Sequence, residues 1–149
     1  MRCQPKTTDK RATYIDRTCE IAIFDLMLIR KLNDITPFVA GDKSWLREIL
    51  HPDKHSIDIR CSLAWASVKP QHETRPHKLE HAEVYHIING RGRIHINDET
   101  KDVVETDTIY VPPQAIQFIK NTGQIDLEFI CIVDPAWQAN IESVVEQGH

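Results

Sequence analysis

From Ile57 onward, short stretches of alternating or near-continuous apolar residues are separated by turn residues every ten positions or so, a spacing of strands and not of helices. Ile57–Val68 is rich in β-branched and small residues. Glu83–Asn89 and Arg93–Asn97 flank Gly90-Arg91-Gly92, which predicts a hairpin turn that uses the freedom of glycine at positive φ. Asn97-Asp98-Glu99 marks a second turn. Val103-Val104 and Thr108–Val111 follow as short strands that end at Pro112-Pro113. Gln117–Lys120 and Ile125–Val133 complete the series around the turn Asn121-Thr122-Gly123. Strands this short, with turns this regular, predict an all-β sandwich or barrel.

The two ends of the chain read differently. Residues 1–20 are polar, mixed in charge and without periodicity, and are expected to be a flexible extension of a single domain spanning 21–149. Phe24–Ile35 suggests a strand and a turn, stopped before Pro37. Ser44–Leu50 suits a short strand or one helical turn, and residues 20–56 are expected to add edge strands. Beyond Pro135 the apolar residues fall at helical spacing and predict one short terminal helix.

Parity adds detail. Side chains on a strand alternate between faces, so Glu83, Tyr85 and Ile87 share one face and His86 points away from it. In LEFICIV the residues Leu127, Phe129, Cys131 and Val133 form one apolar face, while Ile130 and Ile132 form a second. A strand apolar on both faces needs cover on both. A second copy of the chain, giving a homodimer, is the expected cover, with the segment FDLMLI near the N-terminus as the competing one.

Composition narrows the function classes. A chain of 149 residues suits one domain. The net charge of −4, with both signs interspersed, leaves no basic stripe for nucleic acid. No apolar run reaches the roughly 18–20 residues of a membrane-spanning helix, and the N-terminus lacks the pattern of a signal peptide. A soluble, cytoplasmic protein is expected. Cys3, Cys19, Cys61 and Cys131 form no CxxC pair, and Cys61 and Cys131, set in apolar strands, read as buried thiols.

The chemistry concentrates in HKLEHAEVYHIINGRG, residues 77–92, and TDTIYVPPQAIQFIKN, residues 106–121. A histidine, a carboxylate and a side-chain amide on neighbouring strands suit a barrel that holds one metal ion or one polar ligand. These stretches resemble the two motifs of the cupin superfamily, over about residues 57–134. In the first motif His77, Glu83 and Gly90 match in register, with Pro70-Gln71 in place of the usual Pro-Gly. In the second, Pro112 and Asn121 match. Leu79 stands where the family has its second histidine and Gln117 where it has its third, while Thr106 and Gln114 replace two glycines. The chain is most similar to small single-domain cupins of the mannose-6-phosphate isomerase-like or RmlC-like kind.

The resemblance implies a double-stranded β-helix, or jelly-roll barrel. It implies a divalent ion such as Zn, Mn, Fe or Ni on His77, Glu83 and Gln117, imidazole and oxygen donors being suited to these ions. Glu83 is the candidate catalytic carboxylate, and Tyr85 and Tyr110 are candidates to line a substrate cavity. The partner implied is a small molecule, a sugar or sugar phosphate undergoing isomerisation. The competing reading is a non-catalytic cupin that binds or senses a small ligand through a degenerate metal site. His81, His86 and His95 read as surface residues, and His51, His55 and His72 as loop residues.

Overall fold

In the computed structural model, residues 27–146 are described; the N-terminal extension and Phe24–Leu26 of the expected first strand lie outside them. The described residues form eleven strands: β1 Phe38–Val39, β2 Trp45–Leu50, β3 Ser62–Val68, β4 His77–Leu79, β5 Ala82–Asn89, β6 Arg91–Ile96, β7 Glu99–Val104, β8 Thr108–Val111, β9 Gln117–Asn121, β10 Leu127–Asp134 and β11 Glu142–Val144. They form two antiparallel sheets, one in the order β1-β2-β3-β10-β5-β8 and the other β11-β4-β9-β6-β7. This is the all-β barrel expected from the strand spacing, in the jelly-roll form that the resemblance implies.

Alternation places the core. Along β10, Leu127, Phe129, Cys131 and Val133 are buried and the residues between them are half-buried. Register then stacks the interior of the larger sheet in rows. Phe129 pairs with Ala66 and Ile87, Cys131 with Ala64 and Tyr85, and Val133 with Ser62 and Glu83. The smaller sheet contributes Ile94 opposite Ile119, and His77 opposite Gln117. One end of the barrel is thus filled by Ile87, Ile94, Ile119, Leu127 and Phe129. The rows nearer Glu83 carry polar side chains. Burying one large aliphatic or aromatic side chain contributes about 1.5–3 kcal/mol, so the apolar plug anchors the fold and the polar rows are carried by it.

Several local expectations are revised by the structure. Gly90 does not close a hairpin. β5 pairs with β10 and β8, and β6 pairs with β7 and β9, so Gly90 carries the chain from one sheet to the other. Its φ of 85° and the approach of Asp126 O, 2.8 Å from where a Cβ would stand, explain the glycine. A sheet crossover and a hairpin leave the same glycine mark in a sequence. The turn expected at Asn97-Asp98-Glu99 does join β6 to β7, with Asn97 at φ 49°. Trp45–Leu50 is a strand. The terminal segment forms a single 3-10 turn, Ala139–Ile141, followed by strand β11, in place of a short helix. Pairing of Glu142–Val144 with β4 supplies backbone partners that a helix of that length would leave to water.

Three positions where the sequence lacks the glycine of the cupin motifs keep the backbone that glycine would allow: Gln71 at φ 64°, Thr106 at 77° and Gln114 at 67°. A non-glycine residue in this region costs on the order of 1–2 kcal/mol. Backbone hydrogen bonds hold each of them: Thr106 N–H donates to Ile87 O, Gln114 N–H to Leu79 O, and Gln71 N–H to Asn121 O. Asn121, fully buried, straps the same region through its amide to Val68 O and Ile125 O, and accepts from Gly123 N–H. Its role is structural.

Candidate functional site

Between the sheets lies a cavity of about 320 Å³. Its hydrocarbon and aromatic lining includes Phe38, Leu46, Leu79, Tyr85, Phe129 and Trp137, and its buried polar groups include His77, Glu83, Ser44 and Ser62, with Cys131 and Asp42 beside them. β4 and β5 place His77, Leu79, Glu83 and Tyr85 on their inward parity, and all four are buried. The face expected for Glu83, Tyr85 and Ile87 is the interior one, and His86 is exposed.

The polar end is a hydrogen-bonded cluster. The Gln117 amide nitrogen donates to Glu83 Oε2 at 2.6 Å, and the Gln117 oxygen, fully buried, has no partner. His77 donates from Nδ1 to Arg75 O at 2.9 Å, because a carbonyl can only accept. Burial pushes the Glu83 carboxyl up from 4.5 to about 7, against the pull of the His77 ring and the Gln117 hydrogen bond, while the Asp42 carboxylate pushes it further up. Tyr85 and Cys131 are both held well above their ordinary values, by burial first and then by Glu83. Cys131 is therefore a buried thiol and no thiolate nucleophile.

The three residues expected to share a metal do come together around one carboxylate, yet their geometry does not suit an ion. With its nitrogen on Glu83, the Gln117 amide turns its oxygen away, so the two side chains cannot present oxygens to one centre. Leu79, at the position of the second histidine, offers only hydrocarbon to the cavity. Among the described residues, no three His, Cys, Asp or Glu side chains cluster closely enough to hold a metal ion. The donor set left is one imidazole nitrogen and one carboxylate oxygen, short of the three protein ligands usual at a catalytic zinc.

Tyr110 does not line this cavity. It pairs with Val84 on the outward parity of β8 and is 61% exposed, whereas its neighbour Val111 faces inward. The four-residue strand TIYV is too short to show in the sequence which parity faces in. Other histidines stay outside as expected: His86 bonds Thr108, His95 stacks on Phe118, and His81 donates to Pro135 O. His51 is the exception among the loop histidines. It is buried, accepts from Asp53 N–H and donates to Trp137 O, pinning the segment that carries Trp137 into the cavity wall. No local signal in the sequence marks that long-range contact. Nor does one mark Asp42 or Glu142, which reach the cavity from the β1–β2 turn and from β11.

A Cupin domain profile matches residues 64–133. An uncharacterized protein of Methanocaldococcus jannaschii is 34% identical over 113 residues, covering 75% of this chain and 90% of that protein. The chain belongs to the cupin superfamily. Solved structures show the same fold. A polyketide cyclase from Streptomyces resistomycificus superposes with a TM-score of 0.68 at 16% identity, over 83% of this cupin and 88% of that chain. A predicted oxalate decarboxylase from Thermotoga maritima gives 0.65 at 21% identity, over 72% and 99%. A Cupin 2 conserved barrel domain protein from Salinispora arenicola gives 0.64 at 16% identity, over 77% and 92%. Among the described residues no helix of this cupin is long and apolar enough to cross a membrane.

The raised Glu83 carboxyl has a consequence for stability. The folded protein holds this proton more tightly than the unfolded chain, so the contribution is full below about 4.5 and is lost as pH rises through about 7. Glu83→Gln removes the titration and keeps an oxygen to accept from Gln117. In urea unfolding, its stability relative to wild type is expected to rise by roughly 3 kcal/mol between pH 4.5 and 8, each tenfold change in proton affinity being worth about 1.4 kcal/mol. Parallel pH profiles for the two proteins would contradict a buried, raised carboxyl.

Proposed function

We propose that this cupin binds a small, largely apolar molecule inside its barrel, anchored by Glu83 and without a bound metal. The observation that carries this reading is the 2.6 Å bond from the Gln117 amide nitrogen to Glu83, which supports a hydrogen-bonded carboxyl cluster at the polar end in place of a metal ligand set. The mostly apolar wall sets the class of ligand, as in small-molecule sites generally. Sugar-phosphate isomerisation is less well supported. A phosphate wants a free cation, and Lys54, the lysine of the described lining, is tied to both oxygens of Glu48 at 2.8 and 3.0 Å. Binding, with no chemistry on the ligand, is the function that requires least beyond what the cavity offers.

2-Naphthol, an apolar body with one hydroxyl, serves as a fluorescent probe for the cavity. Saturable binding is expected in wild type, unchanged after EDTA and abolished by Ala64→Phe, which fills the space beside Cys131. Loss of binding after EDTA, together with one equivalent of metal in wild type that is missing from His77→Ala, would instead establish a metal-dependent site. Absence of saturable binding by wild type would sink the reading.

The outer face of the larger sheet supports a second element of the proposal, self-association. Leu63, Ile132, Val84 and Tyr110 form one outward row, beside Trp65 and Ile130 in the next. We infer that a second copy covers this face. Light scattering at micromolar concentration is expected to give twice the 17.2 kDa of one chain, with Ile130→Asp reverting it to one. A single-chain mass for the wild type would leave the face to the chain's own residues.

A further inference from the structure

The outer face of the larger sheet carries a cation without an anion. Arg47 lies on β2 with its guanidinium carbon 4.9 Å from the ring centre of Trp65 on β3. Its Nε is shut off from water and donates to nothing, and among the described residues the side chain is in no ion pair. The next residue, Glu48, lines the cavity and holds Lys54 instead. An aromatic ring attracts the charge of a guanidinium but offers no lone pair to its N–H groups. A cation partly withdrawn from water in this way lacks compensation, and a carboxylate is the group that matches its planar edge.

A matching anion stands on the same face. Register puts Arg47, Trp65 and Ile130 in one outward row, and Trp45, Ser67 and Glu128 in the next. Glu128 is tied within its own chain by the Asn89 amide alone, at 3.4 Å, beyond the usual range of such a bond. Asp134, the other carboxylate that β10 turns outward, already meets Arg60 and lies at the far end of the strand, past Ile130 and Ile132. His86, on β5, is bonded to Thr108. Strands are about 4.8 Å apart and outward residues about 7 Å apart along each, so the Cα atoms of Arg47 and Glu128 flank β3 at roughly 12 Å. The midpoint between them falls on β3, between Trp65 and Ser67.

We propose that a second copy docks on this face so that Arg47 of each protomer meets Glu128 of the other, with the twofold axis crossing β3 between Trp65 and Ser67. This rests on the self-association inferred above and names the contacts that set its register. In a twofold interface, a residue that meets a second one across the axis is itself met by that second one from the partner. A face with a cation and an anion on opposite sides of an apolar centre is therefore complementary to itself, and both pairs form at once. The same axis brings Trp65 against the partner subunit's Trp65. Tryptophan and arginine near the centre of an interface carry much of its energy. Trp45, Leu63, Ile130 and Ile132 stand around them and keep water from the two ion pairs.

Charge reversal on the full chain, read by sedimentation velocity at micromolar concentration, tests the pairing. Wild type is expected at twice the 17.2 kDa of one chain, and Arg47→Glu and Glu128→Arg are each expected at one chain mass. Either change turns two attractions into two repulsions and is expected to weaken association at least about a hundredfold, tenfold or 1.4 kcal/mol for each pair. Mixed one to one, the two variants are expected to recover the two-chain mass, because each substituted side chain then finds the opposite charge on the other variant. A dimeric wild type whose variants stay dimeric, or whose variants fail to associate on mixing, would overturn the pairing and leave self-association through this face standing. A wild type at one chain mass would remove both. If a charge reversal fails to fold, Arg47→Gln and Glu128→Gln replace it: the double variant is expected to dimerise as weakly as either single one, and additive losses would overturn the pairing.

Discussion

A carboxylic acid enclosed between two β-sheets has to be solvated by the protein or stay protonated, and Glu83 does some of each. Its backbone position is fixed by the pairing of β5 with β10 and β8, so the side chain cannot retreat to water. What remains is to surround it. The Gln117 amide donates to one oxygen, the His77 ring lies close by, and burial does the rest by moving the proton affinity towards neutrality. The identities of Gln117 and Leu79 follow from this arrangement. An amide can solvate a carboxyl and leucine fills space beside it, whereas histidines at both places would compete for the same oxygens. The barrel keeps the architecture of its superfamily with Gln117 and Leu79 at two positions where its motifs carry histidine.

Much of this was legible in the residues alone. Parity put Glu83, Tyr85 and Ile87 on one face, and it put the two apolar faces on LEFICIV. Motif register brought His77, Glu83 and Gln117 to one place and flagged Leu79. The illegible parts depended on information that a local pattern does not hold. Gly90 looks alike in a hairpin and in a crossover, since both ask only for positive φ. Glu142–Val144 is a strand because β4 has a free edge for it, a partner distant in the sequence. Tyr110 was misplaced because its strand, TIYV, is too short for alternation to show a direction, and only pairing with β5 sets it. Asp42 reaches the cavity through a turn whose own sequence reports nothing about its destination.

The lost glycines carry a separate physical lesson. Gln71, Thr106 and Gln114 hold left-handed backbone without the residue that adopts it freely, and each is tied by a backbone hydrogen bond to a neighbouring strand. Backbone shape is therefore dictated by the closure of the barrel, and side-chain identity at those corners is secondary. The same hierarchy holds inside, where the apolar plug of Ile87, Ile119, Leu127 and Phe129 secures the fold and leaves the polar end free to vary. Variation there changes what the barrel holds without changing the barrel.

Everything proposed for the barrel turns on Glu83 being a buried, hydrogen-bonded carboxyl and not a metal ligand. An NMR titration of its carboxyl carbon in the metal-stripped and untreated protein reads this directly. A midpoint near 7 is expected in both samples, moving higher in Gln117→Ala as the amide bond is lost. A midpoint at or below the ordinary 4.5 in the untreated protein, rising once metal is stripped, would contradict it.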